Sequence, residues 1–174
     1  MAVEIERRFR VEGRPWEGCP SERIVQAYVA VEEGRAVRVR RRGAGATLTI
    51  KGPPQGTSRA EFEIPIAPEL ADEIATALAL PGRISKTRYL REHGGHTWEI
   101  DVFDAPNDGL VIAEVELAAE GEVVDLPAWV RGEVTDDPRF TNAWLARHPW
   151  STWDAAARAT GLDDGEGTDP AGAQ

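Results

Sequence analysis

Charged and apolar residues alternate with a period of two along most of this chain, and no other feature constrains its fold as strongly. Val37 and Val39, for example, alternate with Arg38 and Arg40. A β-strand points successive side chains to opposite faces, so each such segment predicts a strand with one apolar and one ionic face. Seven alternating segments and one largely apolar segment predict eight strands. The strands cover residues 3–10, 24–31, 37–40, 47–51, 59–66, 84–91, 98–102 and 111–117.

Helical spacing is confined to short segments between and after these strands. Apolar residues three and four apart, with proline at the start and Pro-Gly at the end, predict a helix over residues 68–80. Further helices are predicted over residues 142–148 and from Ser151, with a turn of helix over residues 123–130. Trp150 and its neighbouring tryptophans are expected to pack these C-terminal helices against the outside of the sheet. The predicted fold class is mainly β (α+β), a closed eight-stranded antiparallel barrel with a few helices packed outside.

The ionic faces carry like charges two residues apart, which is unusual for an ordinary solvated strand. Such residues lie on one face within about 7 Å of each other, so they repel. One pair could be a solvated strand face, but six pairs in one small domain indicate a multivalent ligand that neutralises them. The pairs are Glu4/Glu6, Arg38/Arg40, Glu61/Glu63, Lys86/Arg88, Glu99/Asp101 and Glu114/Glu116.

The signs of these charges predict the chemistry of the ligand. Paired carboxylates are hard oxygen ligands of the kind that Mg²⁺ or Mn²⁺ prefers, whereas paired arginines and lysines bind phosphate oxygens. An interior with both sets is expected to take a complex of a divalent metal with a polyphosphate. The candidate metal residues are Glu4, Glu6, Glu61, Glu63, Asp101, Glu114 and Glu116. The candidate substrate-binding residues are Arg8, Arg38, Arg40, Lys51, Lys86 and Arg88.

Composition excludes several other classes of protein. With 41% hydrophobic and 29% charged residues the chain is too apolar for disorder, and its net charge of −10 argues against a general nucleic-acid binder. No apolar run approaches membrane-spanning length and no signal peptide is predicted. The single Cys19 excludes a disulfide framework and indicates a reducing cytosol. We therefore predict a cytoplasmic protein with a small-molecule partner, no nucleic acid and no membrane; a homodimer is compatible with the sequence.

The domain organisation is predicted to be simple. Residues 1–160 show no internal repeat and no long linker, so they are expected to form one domain. Residues 161–174 are rich in Gly, Asp and Ala and predict a disordered acidic tail.

Seven of these motifs, in this order, together with one C-terminal segment, resemble the CYTH superfamily, whose members are also called triphosphate tunnel metalloenzymes. The opening Glu4-Ile-Glu6-Arg-Arg8 is similar to the ExExK signature of that family, and residues 133–142 are similar to its C-terminal segment. The resemblance covers residues 1 to about 150. The other matching motifs are Val37-Arg38-Val39-Arg40, Thr49-Ile50-Lys51, Glu61-Phe62-Glu63, Ser85-Lys86-Thr87-Arg88, Trp98-Glu99-Ile100-Asp101 and Glu114-Val115-Glu116.

The resemblance implies an eight-stranded antiparallel tunnel whose glutamates hold divalent metal and whose basic residues hold phosphates. It implies hydrolysis of inorganic triphosphate, which is the activity of most compact bacterial members. Two alternatives remain open: a nucleotide-acting member, such as an adenylate cyclase or a nucleoside or thiamine triphosphatase, and a non-catalytic polyphosphate-binding module. The residues expected to act in catalysis are Glu4, Glu6, Arg8, Lys86 and Arg88.

Arg8 departs from the family pattern, which has lysine at this position. Both side chains are cationic, but arginine presents a planar fork and lysine a point charge. Phosphate binding is expected to persist, while the preference between triphosphate and pyrophosphate stays open.

Overall fold

A computed structural model describes residues 5–53, 60–119 and 121–162 of the chain. The predicted metal residue Glu4 lies outside these ranges, as do residues 163–174 of the predicted tail. Within the described ranges, no helix combines the length and the apolar composition that a membrane span requires.

The described strands form one antiparallel sheet of nine, in the order β5-β4-β3-β2-β6-β7-β8-β1-β9. All eight predicted strands are present, and the mainly β, barrel-like tunnel fold is confirmed. A short ninth strand, which no alternation marked, follows a segment in which the predicted turn of helix at residues 123–130 is absent. The strands are β1 (Ile5–Val11), β2 (Ser21–Glu32), β3 (Arg35–Arg42), β4 (Gly45–Lys51), β5 (Glu61–Ile66), β6 (Arg83–His93), β7 (His96–Phe103), β8 (Val111–Leu117) and β9 (Val130–Glu133).

The sheet differs from the prediction in its closure. In the part of the chain that the structure describes, β5 pairs with β4 and β9 pairs with β1, and no ladder joins β5 to β9. The predicted closed ring of hydrogen bonds is therefore replaced by a sheet with two edges.

The outer face of the sheet is covered in two places. Helix α1 (Pro68–Leu78) begins with proline and packs Ala71 on Val39 and its neighbours in β2 and β4. On the other half of the sheet, Trp98 packs against Phe9 and meets the ring of Trp129 edge to face, with centroids 5.4 Å apart. These two clusters bury most apolar residues of the alternating segments, although Ile50, Phe62 and Ile64 of β4 and β5 stay exposed, and the ionic residues face inward.

The C-terminal helices lie on that inner face, not on the outside as predicted. They are α2 (Asn142–Arg147) and α3 (Ala155–Ala159), with 3-10 turns at Pro138–Phe140 and Trp150–Thr152. Trp150 and Phe140 pack in one cluster with Ile112 of β8 and Ile84 of β6. Ile112 opposes both Arg10 and Asp101 in the ladders, so this cluster shares its face with the charged residues. The predicted exterior position of Trp150 is therefore wrong.

Arg10 of β1 binds the backbone at the end of α3 and just after it. Its side chain is buried, and Nη1 donates hydrogen bonds to the carbonyl oxygens of Arg158 and Thr160 at 3.0 and 2.9 Å. Its guanidinium lies 4.9 Å from the ring centroid of Trp150. Beyond it, Gly161, the first residue of the predicted tail, accepts a hydrogen bond from the amide of Gly132 at 2.8 Å. The C-terminal segment is thus tied to β1 and β9.

The start of α3 also differs from prediction. Asp154 is itself the N-cap residue, and its carboxylate accepts a hydrogen bond from the amide of Ala157 at 2.8 Å. The helix begins at Ala155, and Ser151 lies instead within the 3-10 turn Trp150–Thr152.

Candidate active site

Strand register brings all the described candidate residues to one face of the sheet. Arg8 opposes Glu114, and Arg88 opposes Asp101. Directly opposed residues of antiparallel strands point to the same side, so the predicted inward convergence is seen in the structure. The residues brought together are Glu6, Arg8, Arg38, Arg40, Lys51, Glu61, Glu63, Lys86, Arg88, Asp101, Glu114 and Glu116.

Arg88 is the centre of the ion-pair network. Its guanidinium donates to both oxygens of Asp101, at 2.7 and 2.6 Å, and to Glu114 at 2.7 Å, and it also pairs with Glu99. Burial lowers the pKa of Arg88, but the charges of Asp101, Glu114 and Glu99 raise it by more, so the net shift is upward. The arginine is therefore permanently charged and held in one orientation.

Lys86 and Asp101 form the most buried pair of the site. Their side chains are 2% and 1% exposed and in direct contact. Burial lowers the pKa of Lys86, and the charge of Asp101 opposes that shift. The Lys86 ammonium also lies 3.4 Å from the side-chain oxygen of Asn142, at the start of α2. Both oxygens of Asp101, a predicted metal ligand, are thus occupied by Lys86 and Arg88.

Arg8 lies between two carboxylates predicted to bind metal. Its Nη2 pairs with Glu6, and its Nε donates to Glu114 at 3.0 Å. Its backbone amide donates to the hydroxyl of Thr135 at 3.0 Å, which fixes β1 beside the C-terminal segment. Burial raises the pKa of Glu114, but the charges of Lys86, Arg88 and Arg8 lower it by more. The resulting pKa is about 2.

Arg38 and Arg40 are held more loosely. Arg38 lies 3.7 Å from Glu61 and 3.9 Å from Glu63, and Arg40 lies 3.8 Å from Glu63. Neither Nε atom, both buried, has a hydrogen-bond partner among the residues that the structure describes. Burial and the charge of Arg38 lower the pKa of Arg40 to about 10. Two like charges therefore lie together with incomplete compensation, while nearby Lys51 contacts Glu61 at 2.6 Å.

Some residues of this face were missed by the charge pattern. Gln26 opposes Arg40 and donates to the hydroxyl of Tyr28 at 3.2 Å, and Thr49 opposes Arg38 and donates to Glu63 at 3.2 Å. Their alternation with apolar neighbours could have placed Gln26 and Thr49 on the ionic face. Nothing in the sequence could have placed Asn142 there, because it comes from a helix distant along the chain.

The carboxylates suit a divalent cation in their chemistry. Glu6 directly opposes Glu116 across the ladder of β1 and β8, and Glu114 lies two residues from Glu116. Over residues 5–53, 60–119 and 121–162, however, no three acidic, histidine or cysteine side chains are grouped so that they could hold an ion. Arginine side chains lie between the carboxylates instead: Arg8 pairs with Glu6 and Glu114, and Arg88 also pairs with Glu114. The donor set fits Mg²⁺ or Mn²⁺, provided that these ion pairs open.

Comparison with known proteins agrees with this geometry. The CYTH domain model matches residues 2–141. An inorganic triphosphatase of Acetivibrio thermocellus is 38% identical over 154 residues, covering 88% of this chain and 99% of the relative. One from Nitrosomonas europaea is 32% identical over 152 residues, covering 83% and 97%. A crystal structure of an inorganic triphosphatase superposes with a TM-score of 0.64 at 30% identity, covering 84% of this chain and 95% of that one. The chain therefore belongs to the CYTH domain family.

Proposed function

We propose that this protein hydrolyses inorganic triphosphate with the help of a divalent metal. The observation that carries the proposal is the pair of buried Arg38 and half-buried Arg40, whose charges are only loosely compensated on a face otherwise filled with ion pairs. A buried like-charge pair is costly unless an anion neutralises it, and a chain of phosphates supplies several negative charges at once. Both relatives described above are inorganic triphosphatases.

The basic residues bind and orient the phosphates in this proposal. Arg38 and Arg40 have free donor capacity, so they make the first contacts with the phosphate oxygens. Arg88 is fixed by Asp101 and presents its charge from the other side of the tunnel. The full set of phosphate-binding residues is Arg8, Arg38, Arg40, Lys51, Lys86 and Arg88.

Carboxylates hold the metal and orient water. The proposed metal residues are Glu4, Glu6, Glu61, Glu63, Glu114 and Glu116, while Asp101 acts by holding Lys86 and Arg88. When bound, Mg²⁺ or Mn²⁺ supplies positive charge to the phosphate oxygens. A glutamate of the acidic set orients a water molecule, whose oxygen forms a new bond to the terminal phosphorus. The bond to the bridging oxygen breaks, so the products are phosphate and pyrophosphate, and the basic side chains stabilise the charge that develops on the leaving oxygen.

Phosphate release from tripolyphosphate, pyrophosphate and ATP, each with Mg²⁺, with Mn²⁺ and with a chelator, tests the proposal. We expect tripolyphosphate to be hydrolysed fastest, and the chelator to abolish release. Faster release from ATP would favour the nucleotide-acting alternative. Tight binding of tripolyphosphate without release would favour the non-catalytic module. Cytoplasmic location and a homodimer remain predictions.

A further inference from the structure

Arg8 and Arg88 are half-buried arginines that share Glu114, but their other partners differ in kind. Arg88 is fixed by the two oxygens of Asp101, whose own carboxylate is buried against Lys86. The guanidinium of Arg8 instead contacts Glu6 and Glu114, which are both proposed metal ligands. Arg8 therefore depends for its position on the very oxygens that a metal would need.

Glu114 has no oxygen to spare in this arrangement. Its Oε1 accepts from Arg8 at 3.0 Å and its Oε2 accepts from Arg88 at 2.7 Å. A cation coordinated by Glu114 must replace one of these arginines. If Arg88 loses Glu114, it keeps its two hydrogen bonds to Asp101. Arg8, in contrast, also pairs with Glu6. Arg8 is thus the one whose departure frees two carboxylates together.

We propose that Arg8 is a built-in counter-cation, which occupies Glu6 and Glu114 in the metal-free protein and is displaced when a divalent metal binds. The inference rests on the metal site of the proposed function and adds its regulation. Once displaced, the guanidinium is free to bind a phosphate oxygen. Metal and phosphate therefore favour each other's binding, because the metal releases a phosphate donor and the phosphate gives the displaced arginine a new partner.

An arginine at position 8 competes with the metal for Glu6 and Glu114 more strongly than a lysine would. The planar guanidinium donates from Nη2 to one carboxylate and from Nε to the other at the same time. A lysine ammonium in the same place is a point charge on a flexible stem and cannot reproduce that fork. Arg8→Lys keeps the net charge of the site and weakens only the bridge.

The experiment measures binding of Mn²⁺ alone to the full chain, without phosphate, by electron paramagnetic resonance of the free ion. We expect Arg8→Lys to bind Mn²⁺ about tenfold more tightly than wild type, since one hydrogen bond between charged groups is worth roughly that factor. The matched control is Arg41→Lys, which is the same substitution on the outer face, where the guanidinium pairs with Asp72 and with none of the proposed metal ligands. Its Mn²⁺ affinity should stay within about twofold of wild type.

A second measurement avoids substitution at Arg8. In the wild-type protein, saturating Mg²⁺ should shift the Nε–H nuclear magnetic resonance signal of Arg8 and speed its exchange with water, while the signal of Arg88 keeps its protection. Unfolding temperatures of both variants establish that they are folded.

Three results would overturn the inference: equal Mn²⁺ affinity of wild type and Arg8→Lys, an equal gain in Arg41→Lys, or an Arg8 signal unmoved by Mg²⁺. If wild type hydrolyses tripolyphosphate and shows one of these results, the proposed function stands and the inference fails. If Arg8→Lys binds Mn²⁺ more tightly but wild type releases no phosphate, the function fails and the inference stands. If no Mn²⁺ binds to any of the three proteins, both fail.

Discussion

The tunnel has two walls that hold their charges in different ways. We name β1, β6, β7 and β8 the paired wall, where Arg88 makes hydrogen bonds of 2.6–2.7 Å to Asp101 and Glu114. We name β3, β4 and β5 the open wall, where Arg38 and Arg40 stay 3.7–3.9 Å from their carboxylates. Glu63 of the open wall is 46% exposed, whereas Glu114 of the paired wall is 13% exposed.

This difference in pairing distance indicates that some charged residues of the tunnel hold the fold together, whereas others are left to bind a ligand. Side chains that satisfy each other form a fixed framework, and breaking such a buried pair leaves an uncompensated charge. Side chains that are near but not satisfied retain donor capacity for a ligand. The paired wall should therefore contribute to stability and activity together, and Arg38 and Arg40 of the open wall to activity alone.

The largest effect is expected from Arg88→Met. The change leaves Asp101, Glu99 and Glu114 without their shared partner, so stability should fall by about 3 kcal/mol. Activity should fall about 10²–10³-fold, because a fixed donor to the phosphates is lost. Urea unfolding and kcat/KM for tripolyphosphate measure the two effects. Normal stability in this variant would contradict a structural role for the paired wall.

Arg40→Met makes the same kind of change on the open wall and sharpens the comparison. We expect kcat/KM to fall about tenfold to a hundredfold, which corresponds to one charge-assisted hydrogen bond to phosphate. Stability should be unchanged or higher, because removing Arg40 relieves its repulsion with Arg38. A loss of stability equal to that of Arg88→Met would mean that the two walls are held in the same way.

A pH titration of unfolding tests the paired wall through Glu114. The folded-state pKa of Glu114, about 2, lies below its ordinary value of 4.5. The stability that this group contributes is therefore fully present above about pH 4.5 and is lost as pH falls toward about 2. The difference in stability between wild type and Glu114→Gln should be constant above pH 4.5 and should shrink below it. A difference that does not depend on pH would contradict the shift.

The smallest effect is expected from Arg41→Gln, the neighbour of Arg40 in the chain. Arg41 points to the outer face and pairs with Asp72 of α1 at 2.7 Å, where both side chains are substantially exposed. Such surface pairs contribute about 0–1 kcal/mol, and kcat/KM should change less than about twofold. A tenfold loss of activity would show that the charged residues act regardless of the face they occupy.

The sequence predicted the walls well but not the way their charges are paired. Alternation placed Arg38, Lys86 and Glu114 on one face, because a strand allows a residue only two directions. Pairing depends on distances between strands that are far apart in sequence, so the contact of Asp101 with both Lys86 and Arg88 could not be predicted from the pattern. The same holds for Arg8, whose position between Glu6 and Glu114 follows from the pairing of β1 with β8.

The errors concern the end of the chain and the short elements. β9 has four residues, Val130–Glu133, too few to show a period. The sequence predicts the tryptophans of the C-terminal segment on the exterior of the sheet. In the structure the inner face becomes apolar at one end, where Ile84 and Ile112 receive Trp150. The residue types show this change from ionic to apolar along β6 and β8. They do not show which segment of the chain covers the apolar end.

The anchoring of Arg10 has a consequence for where the folding unit ends. The family match stops at residue 141, yet the carbonyl oxygens that accept from the Arg10 guanidinium belong to Arg158 and Thr160. A chain shortened to residue 141 would keep every charged residue of the tunnel and lose the partners of a buried cation, together with the ring of Trp150 beside it. The folded unit thus extends about twenty residues beyond the end of the family match. Only this longer unit supplies the hydrogen-bond acceptors of the buried Arg10.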